Sequence, residues 1–370
     1  MEIRIVRDET DNVSRLLELG AFGDDDVRLS KGYFRYRNTS FGHSLIKTMT
    51  AGGIATPVHF RRGGNIRKIF DFMHSKAYED GVAVSILHPF SFTYYNMFGY
   101  EKVADHFIVN LPLRLIDFVP RRCNLVPATE DMLSDLVSVY SEFSKGRYLL
   151  FERKNFNQFV PSPEKTQTYI YYNNGKAESY ITFSQSKTLA TNHYTDTVMT
   201  VREMVYTSKE SLLELFSFIR MFEGELDEIE FLNLSMCPEA DMILRHYTHT
   251  TYKLLPDIAA KIINTEEVLK KSAYPKKDGG FTLKVEGGGD GAQGTFKVEF
   301  GGGDSRVTRL TDSSEADIII SDLALSRLVY GYDAPDYVSI NYINGIKVNK
   351  NADDFILAFP KKRAGIFEHF

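Results

Sequence analysis

The sharpest chemical feature of the sequence is the run Arg61-Arg62-Gly63-Gly64-Asn65-Ile66-Arg67. It follows β-type sequence ending at "GGIATP" and precedes a stretch with helical spacing. A glycine-containing turn at the start of a helix presents backbone N–H groups at the positive end of the helix dipole, which suits pyrophosphate. Arginines flanking such a turn add charge-assisted hydrogen bonds to phosphate oxygens. On the residues alone, a basic strand-to-helix loop without a ligand stays open as the alternative. A second feature is the aromatic turn Tyr95-Asn96-Met97-Phe98-Gly99-Tyr100, just after the strand "VAVSIL". Gly99 lets the chain double back, Phe98 and Tyr100 then pack inward, and Tyr95 comes to the mouth of the sheet with its hydroxyl available. Three aromatics that only fill a core are the alternative reading. The third feature is the end of the chain, "AGIFEHF", which stops at Phe370 without a polar tail.

Other chemistries fit less well. The only G-x-G-x-x-G string, Gly289 to Gly294, precedes the strand-like "TFKVEF" and reads as a hairpin turn, so a Rossmann dinucleotide site is not expected. No Walker string G-x-x-x-x-G-K-[ST] occurs. His246 and His249 lie three apart without a Cys or carboxylate cluster, so no metal site is expected. Cys123 and Cys237 cannot build a disulfide framework, and neither adjoins a recognisable base.

The elements that must position these residues follow from periodicity. Ile66, Ile69, Phe70, Met73 and Ala77 recur at helical spacing, and "VAVSIL" reads as a strand buried on both faces. Strand, basic turn, helix and strand make a β-α-β unit. "EIRIVR" reads as a first strand and 12–22 as a helix capped by Asp11 or Asn12. Three prolines in "LPLRLIDFVPRRCNLVP" mark a linker. A second α/β unit follows, with a strand running into a helix over 201–222 and a hairpin turning at Asn173-Asn174-Gly175. From about 265 a glycine-punctuated β-meander and helices make an α+β module, ending in a helical tail. The expected organisation is therefore α/β and α+β multidomain, with units 1–120, 121–264 and 265–370.

A net charge of −5 argues against nucleic acid as the main partner and is compatible with a cationic substrate, an ordinary mildly acidic cytosolic protein being the alternative reading of the charge. The N-terminus lacks a signal peptide, and no apolar run approaches a membrane span, so no membrane partner and a cytoplasmic location are expected.

Strand, "RRGGNIR", helix, strand and "YNMFGY" together resemble the acetyl-CoA core of the GNAT N-acetyltransferase superfamily. Its loop pattern [Q/R]-x-x-G-x-[G/A] is met except at the last place. That exception, with the Y-x-x-F-G-Y turn reproduced by Tyr95 to Tyr100, resembles the Eis-like branch. The resemblance implies tandem GNAT folds, the second degenerate, followed by a sterol-carrier-protein-like α+β domain. It implies acetyl-CoA as co-substrate, held by Ile54, Thr56, Arg61, Arg62, Gly63, Gly64, Asn65, Ile66 and Arg67. It further implies Tyr95 as general acid and the Phe370 α-carboxylate as general base, an amine acceptor (a small molecule or a lysine) and a homo-oligomer, hexamers being frequent. Only about 25 residues separate the expected first helix from "GGIATP", which is short for the family's hairpin. That predicts abbreviated second and third strands, or a missing piece of chain. A catalytically silent protein that binds CoA or an apolar ligand is the alternative reading.

These residue types suit the chemistry. An amine attacks a thioester only when neutral, so a base must take its proton. An α-carboxylate of pKa about 3.5 becomes an adequate base when buried. A phenol of pKa about 10 can protonate the departing thiolate, whose thiol titrates near about 8.5.

Overall fold

The computed structural model describes residues 1–189, 195–244, 247–289, 291–311 and 315–368. Its first domain holds strands β1 (Glu2–Thr10), β2 (Arg15–Phe22), β3 (Arg28–Gly42), β4 (Ser44–Ala55), β5 (Val84–Leu87) and β6 (Glu101–Pro112), with helices α1 (Asn65–Glu79) and α2 (Phe92–Asn96). The stripe expected on α1 is buried at Ile69, Phe70, Met73 and Ala77, with Ile66 half-buried beside it. β5 is buried along its whole length, as its apolar run predicts.

The helix expected over 12–22 is strand β2, paired antiparallel with β1 and β3. Leu17, Leu19 and Ala21, at every second position, are fully buried. Asp11 does not cap a helix; its Oδ1 accepts the N–H groups of Val13 and Ser14 at 2.7 Å and closes the β1–β2 turn. The same side-chain acceptance serves a helix cap and a tight turn, so Asp11 alone could not choose between them. The hairpin that seemed short is complete, because β3 and β4 run for 15 and 12 residues. What is short is the connection from β1 to β2, which contains no helix.

The second domain holds β7 (Leu125–Pro127), α3 (Leu133–Ser144), β8 (Arg147–Phe151), β9 (Gln167–Asn173), β10 (Lys176–Leu189), β11 (Thr195–Tyr206), α4 (Lys209–Ile219), β12 (Glu228–Phe231) and α5 (Pro238–Ile243). Asn174 and Gly175 take positive φ in the β9–β10 turn, as expected for a two-residue hairpin. Strand β13 (Thr251–Ile262) then leaves this domain and inserts between β5 and β6 of the first. β6 in turn pairs with β12. Each domain thus completes the other's sheet, and the 14-stranded sheet also takes its last strand, Arg363–Ala364, from beyond residue 264.

The third unit comprises α6 (Thr265–Lys271), β14 (Gly279–Glu286), β15 (Gly294–Gly301), β16 (Asp304–Leu310), β17 (Ile318–Ser321), α7 (Asp322–Val329), β18 (Ile346–Val348) and α8 (Ala352–Ala358). Its five strands form a separate sheet in the order β16-β15-β14-β17-β18. The glycine string ending at Gly294 leads into strand β15, in agreement with the hairpin reading; Asp290 within it lies outside the described residues. Ile86, Ile258, Ala260 and Ile262 pack with Leu325, Leu328 and Phe281, so this unit covers the sheet face opposite α1. The tail after α8 is extended, not helical. A short strand β19 (Arg363–Ala364) pairs with β8.

Candidate active site

Two irregularities in the first sheet create a cleft. β4 pairs with β5 only over Thr48–Thr50 and Val84–Ile86, and beyond these positions the two strands have no pairing among the described residues. On its other side, β4 shifts register against β3 between the Tyr33–Gly52 and Lys31–Ala55 pairs, a β-bulge. Gly53 takes φ 57° there, and a Cβ on it would meet the Tyr33 ring at 2.5 Å, so glycine is required. A bulge leaves backbone groups outside the ladder. Here it does so at Ile54, beside the gap between the strands.

β4 then leads through residues 56–64 into α1, whose N-cap is Gly64 at φ 72° with no side-chain cap. The N–H groups at this helix start are therefore not claimed by a capping side chain. Nothing lies within 4 Å of a Cβ built on Gly64, which leaves open space where a phosphate would approach. Among the described residues Arg61 and Arg67 donate only to carbonyls, Thr56 O and Met97 O, each at 3.3 Å. Ion pairs of the described residues include none of Arg61, Arg62 and Arg67.

A cavity of about 760 Å³ is lined by all nine residues expected to hold the cofactor, from Ile54 and Thr56 to Arg61 through Arg67. Phe60, Phe90, Tyr94, Met97 and Phe98 complete its apolar wall. Sequence reading did not name this wall, although Tyr94 and Phe98 lie within or beside the aromatic turn it singled out. Gly64→Asp adds a carboxylate at the helix start, where it repels phosphate. We expect it to raise the Kd for acetyl-CoA at least about tenfold, about 1.4 kcal/mol, measured calorimetrically.

Tyr95 lies on α2, which is capped by Ser91 accepting from Tyr94 N. Its ring packs edge-on against Phe90, Tyr94 and Phe70, and the residue is 6% exposed. It therefore sits one layer behind the cavity wall instead of openly at the mouth, and burial pushes its hydroxyl up from the ordinary value. Phe98 and Tyr100 pack inward, as expected. Tyr100 is fully buried, with its hydroxyl 2.6 Å from Ser85 Oγ and 3.1 Å from His74 Nε2. Burial drives the His74 imidazole well below its ordinary value, so it is neutral in this network.

Past β5, His88 follows Leu87, which belongs to the core on the α1 side. Alternation sends His88 to the opposite face, where its Nδ1 lies 3.0 Å from Asp257 Oδ1 on β13. His106 Nδ1 lies 3.4 Å from the other Asp257 oxygen. Burial raises the Asp257 pKa, but the hydrogen bonds with His106 and His88 outweigh it and hold the carboxyl well below the usual range. Sequence reading missed this cluster, because His88 and Asp257 meet only through the insertion of β13.

Residues 365–368 run against the second domain. Gly365 N donates to Tyr148 O, Ile366 O accepts from Asn233 Nδ2 at 2.8 Å, and Phe367 stacks on Phe143. Glu368 Oε1 receives Arg153 Nε at 2.9 Å. Arg153 is buried and forks onto both oxygens of Glu203, at 2.8 and 2.5 Å. Burial lowers the Arg37 guanidinium on β3, and the Glu368 carboxylate partly opposes this. His369 and Phe370, the expected terminal base, lie outside the described residues, as does His246.

No group of three or more metal-ligating side chains occurs among the described residues, and no helix there is long and apolar enough to cross a membrane. Residues 7–103 match the family profile "Acetyltransferase (GNAT) domain", and residues 150–255 match a second profile of the same description. No curated protein matches the chain in sequence. Among solved structures, a GCN5-related N-acetyltransferase from Anabaena variabilis superposes with a TM-score of 0.83 at 15% identity, covering 95% of this chain and 89% of that one. A probable N-acyltransferase from Enterococcus faecalis gives 0.79 at 18%, covering 96% and 89%. Eis1 from Mycobacterium abscessus gives 0.75 at 13%, covering 95% and 91%. At these identities the structures share the fold. With two GNAT domains in one chain, this protein is an acetyltransferase of the GNAT superfamily, and acetyl-CoA is its acetyl donor.

Proposed function

We propose that the chain acetylates a primary amine, on a polycationic small molecule or a lysine, by direct attack in a ternary complex. The observation that carries this reading is the convergence of nine loop and strand residues on one cavity, beside the gap between β4 and β5. In this reading the helix-start amides and Arg61, Arg62 and Arg67 hold the pyrophosphate. The bulged strand at Ile54 turns an N–H toward the thioester carbonyl, where it stabilises the negative charge that develops. The amine nitrogen bonds to the carbonyl carbon, the C–S bond breaks, and Tyr95 gives its phenolic proton to the thiolate. The Phe370 α-carboxylate takes the proton that leaves the amine.

Support for the terminal base is the anchoring of Glu368. The second GNAT domain reads as degenerate: at its β11–α4 junction Ser208 caps the helix with its own side chain, accepting from Ser211 N, where the first domain has an uncapped glycine. The C-terminal unit reads as sterol-carrier-protein-like by its separate five-stranded sheet, and assembly into a homo-oligomer belongs to the same reading.

The test is amine-dependent release of CoA thiol by the untagged protein and by one extended at its C-terminus. A loss of about 100-fold or more in kcat on extension, with acetyl-CoA affinity kept, is expected for a catalytic α-carboxylate. Equal rates would remove Phe370 from the mechanism.

A further inference from the structure

A second cavity, of about 350 Å³, lies where the three units meet and is separate from the cleft described above. The β3–β4 turn contributes His43, the turn into β8 contributes Lys145 and Arg147, and the segment leaving α8 contributes Lys361, Lys362 and Arg363. No carboxylate lines it. Lys145 pairs with Glu142, and Arg363 with Glu239, each at 2.5 Å. The other three cations are held mainly by carbonyls. Lys361 Nζ donates to Tyr332 O and Lys362 Nζ to Val329 O, both at 2.9 Å. Arg147 Nε donates to Met236 O at 3.1 Å, and its guanidinium is 4.0 Å from Glu239.

Among the described residues Lys361 and Lys362 each donate to one carbonyl, which leaves two of the three ammonium donors of each for a ligand, whereas Arg147 also donates to Phe143 O and keeps fewer. Gathering five cations around one cavity, in a chain of net charge −5, costs electrostatic free energy that a bound anion offsets. Burial also pushes the Lys362 ammonium down to about 7, and an adjacent anion would hold its proton in place. Mixed lysine and arginine donors suit phosphate oxygens.

We propose that this junction cavity is a binding site for a small phosphorylated anion, distinct from the acetyl-CoA cleft. Its ligand ties the second domain to the root of the tail, because β19 begins at Arg363 and pairs with β8 at Arg147 and Tyr148.

The test is thermal unfolding and calorimetric titration of the full chain with inorganic pyrophosphate at constant ionic strength, with the acetyl-CoA cleft saturated by CoA. Pyrophosphate is expected to raise Tm and bind saturably. The Lys361→Gln/Lys362→Gln double variant should weaken binding at least tenfold, and so should Lys145→Gln, a change at an exposed turn that tests the site if the double variant folds poorly. Arg62→Ala should leave it unchanged. No binding at millimolar pyrophosphate overturns the proposal. So does binding that survives both lysine variants, or that disappears with Arg62→Ala.

Discussion

Tyr95→Phe is expected to lower kcat by about 10²- to 10³-fold while leaving the Kd for acetyl-CoA within about twofold. The substitution keeps the ring that packs against Phe70, Phe90 and Tyr94 and removes only the hydroxyl that carries the proton. Stability should therefore change little. Tyr94 is the informative control. Its ring lines the cofactor cavity, whereas Tyr95 lies behind the wall, so a greater loss with Tyr94→Phe would transfer the role of acid to Tyr94. The pH profile gives a second readout. Burial raises the Tyr95 pKa, so the protonated acid persists below that raised value and is lost only as pH climbs through it. The alkaline limb of kcat set by this group should thus lie above the ordinary tyrosine value of about 10.

Arg153→Ala is expected to be the most destabilising single change in the tail's surroundings, by about 3–5 kcal/mol. Its guanidinium is packed over the Tyr140 ring at 4.3 Å and answers Glu203, which is 5% exposed. Removing it leaves a buried carboxylate without its cation and frees Glu368. Both Tm and kcat should fall. Glu368→Gln separates the two effects, because it keeps a hydrogen-bond acceptor for Arg153 and leaves the Arg153–Glu203 pair intact. That variant should retain nearly all of the stability and lose rate if the anchor positions the terminus. Full activity in Glu368→Gln would make the tail contact purely structural.

The loop at 61–67 and the aromatic turn were legible because their chemistry is local. The helix start, its glycine and its arginines are neighbours in sequence, and the structure brings them to one cavity. β2 was misread for an equally local reason: an Asx turn and a helix N-cap use the same side-chain acceptance, and Asp11 satisfied both patterns. The alternation of Leu17, Leu19 and Ala21 was the better signal. What stayed hidden is non-local. β13 follows the second domain in sequence yet inserts into the first sheet between β5 and β6, and that crossing alone joins Asp257 to His88. Arg153 finds Glu203 and Glu368 across 50 and 215 positions, a separation that no spacing pattern marks.

The most direct test of the account is calorimetric titration of the untagged chain with acetyl-CoA, repeated for Arg62→Ala. Saturable micromolar binding, weakened at least about tenfold by Arg62→Ala, is the predicted result. Absence of binding, or binding indifferent to Arg62, would contradict the assignment of the acetyl-CoA site to the cavity between β4 and α1.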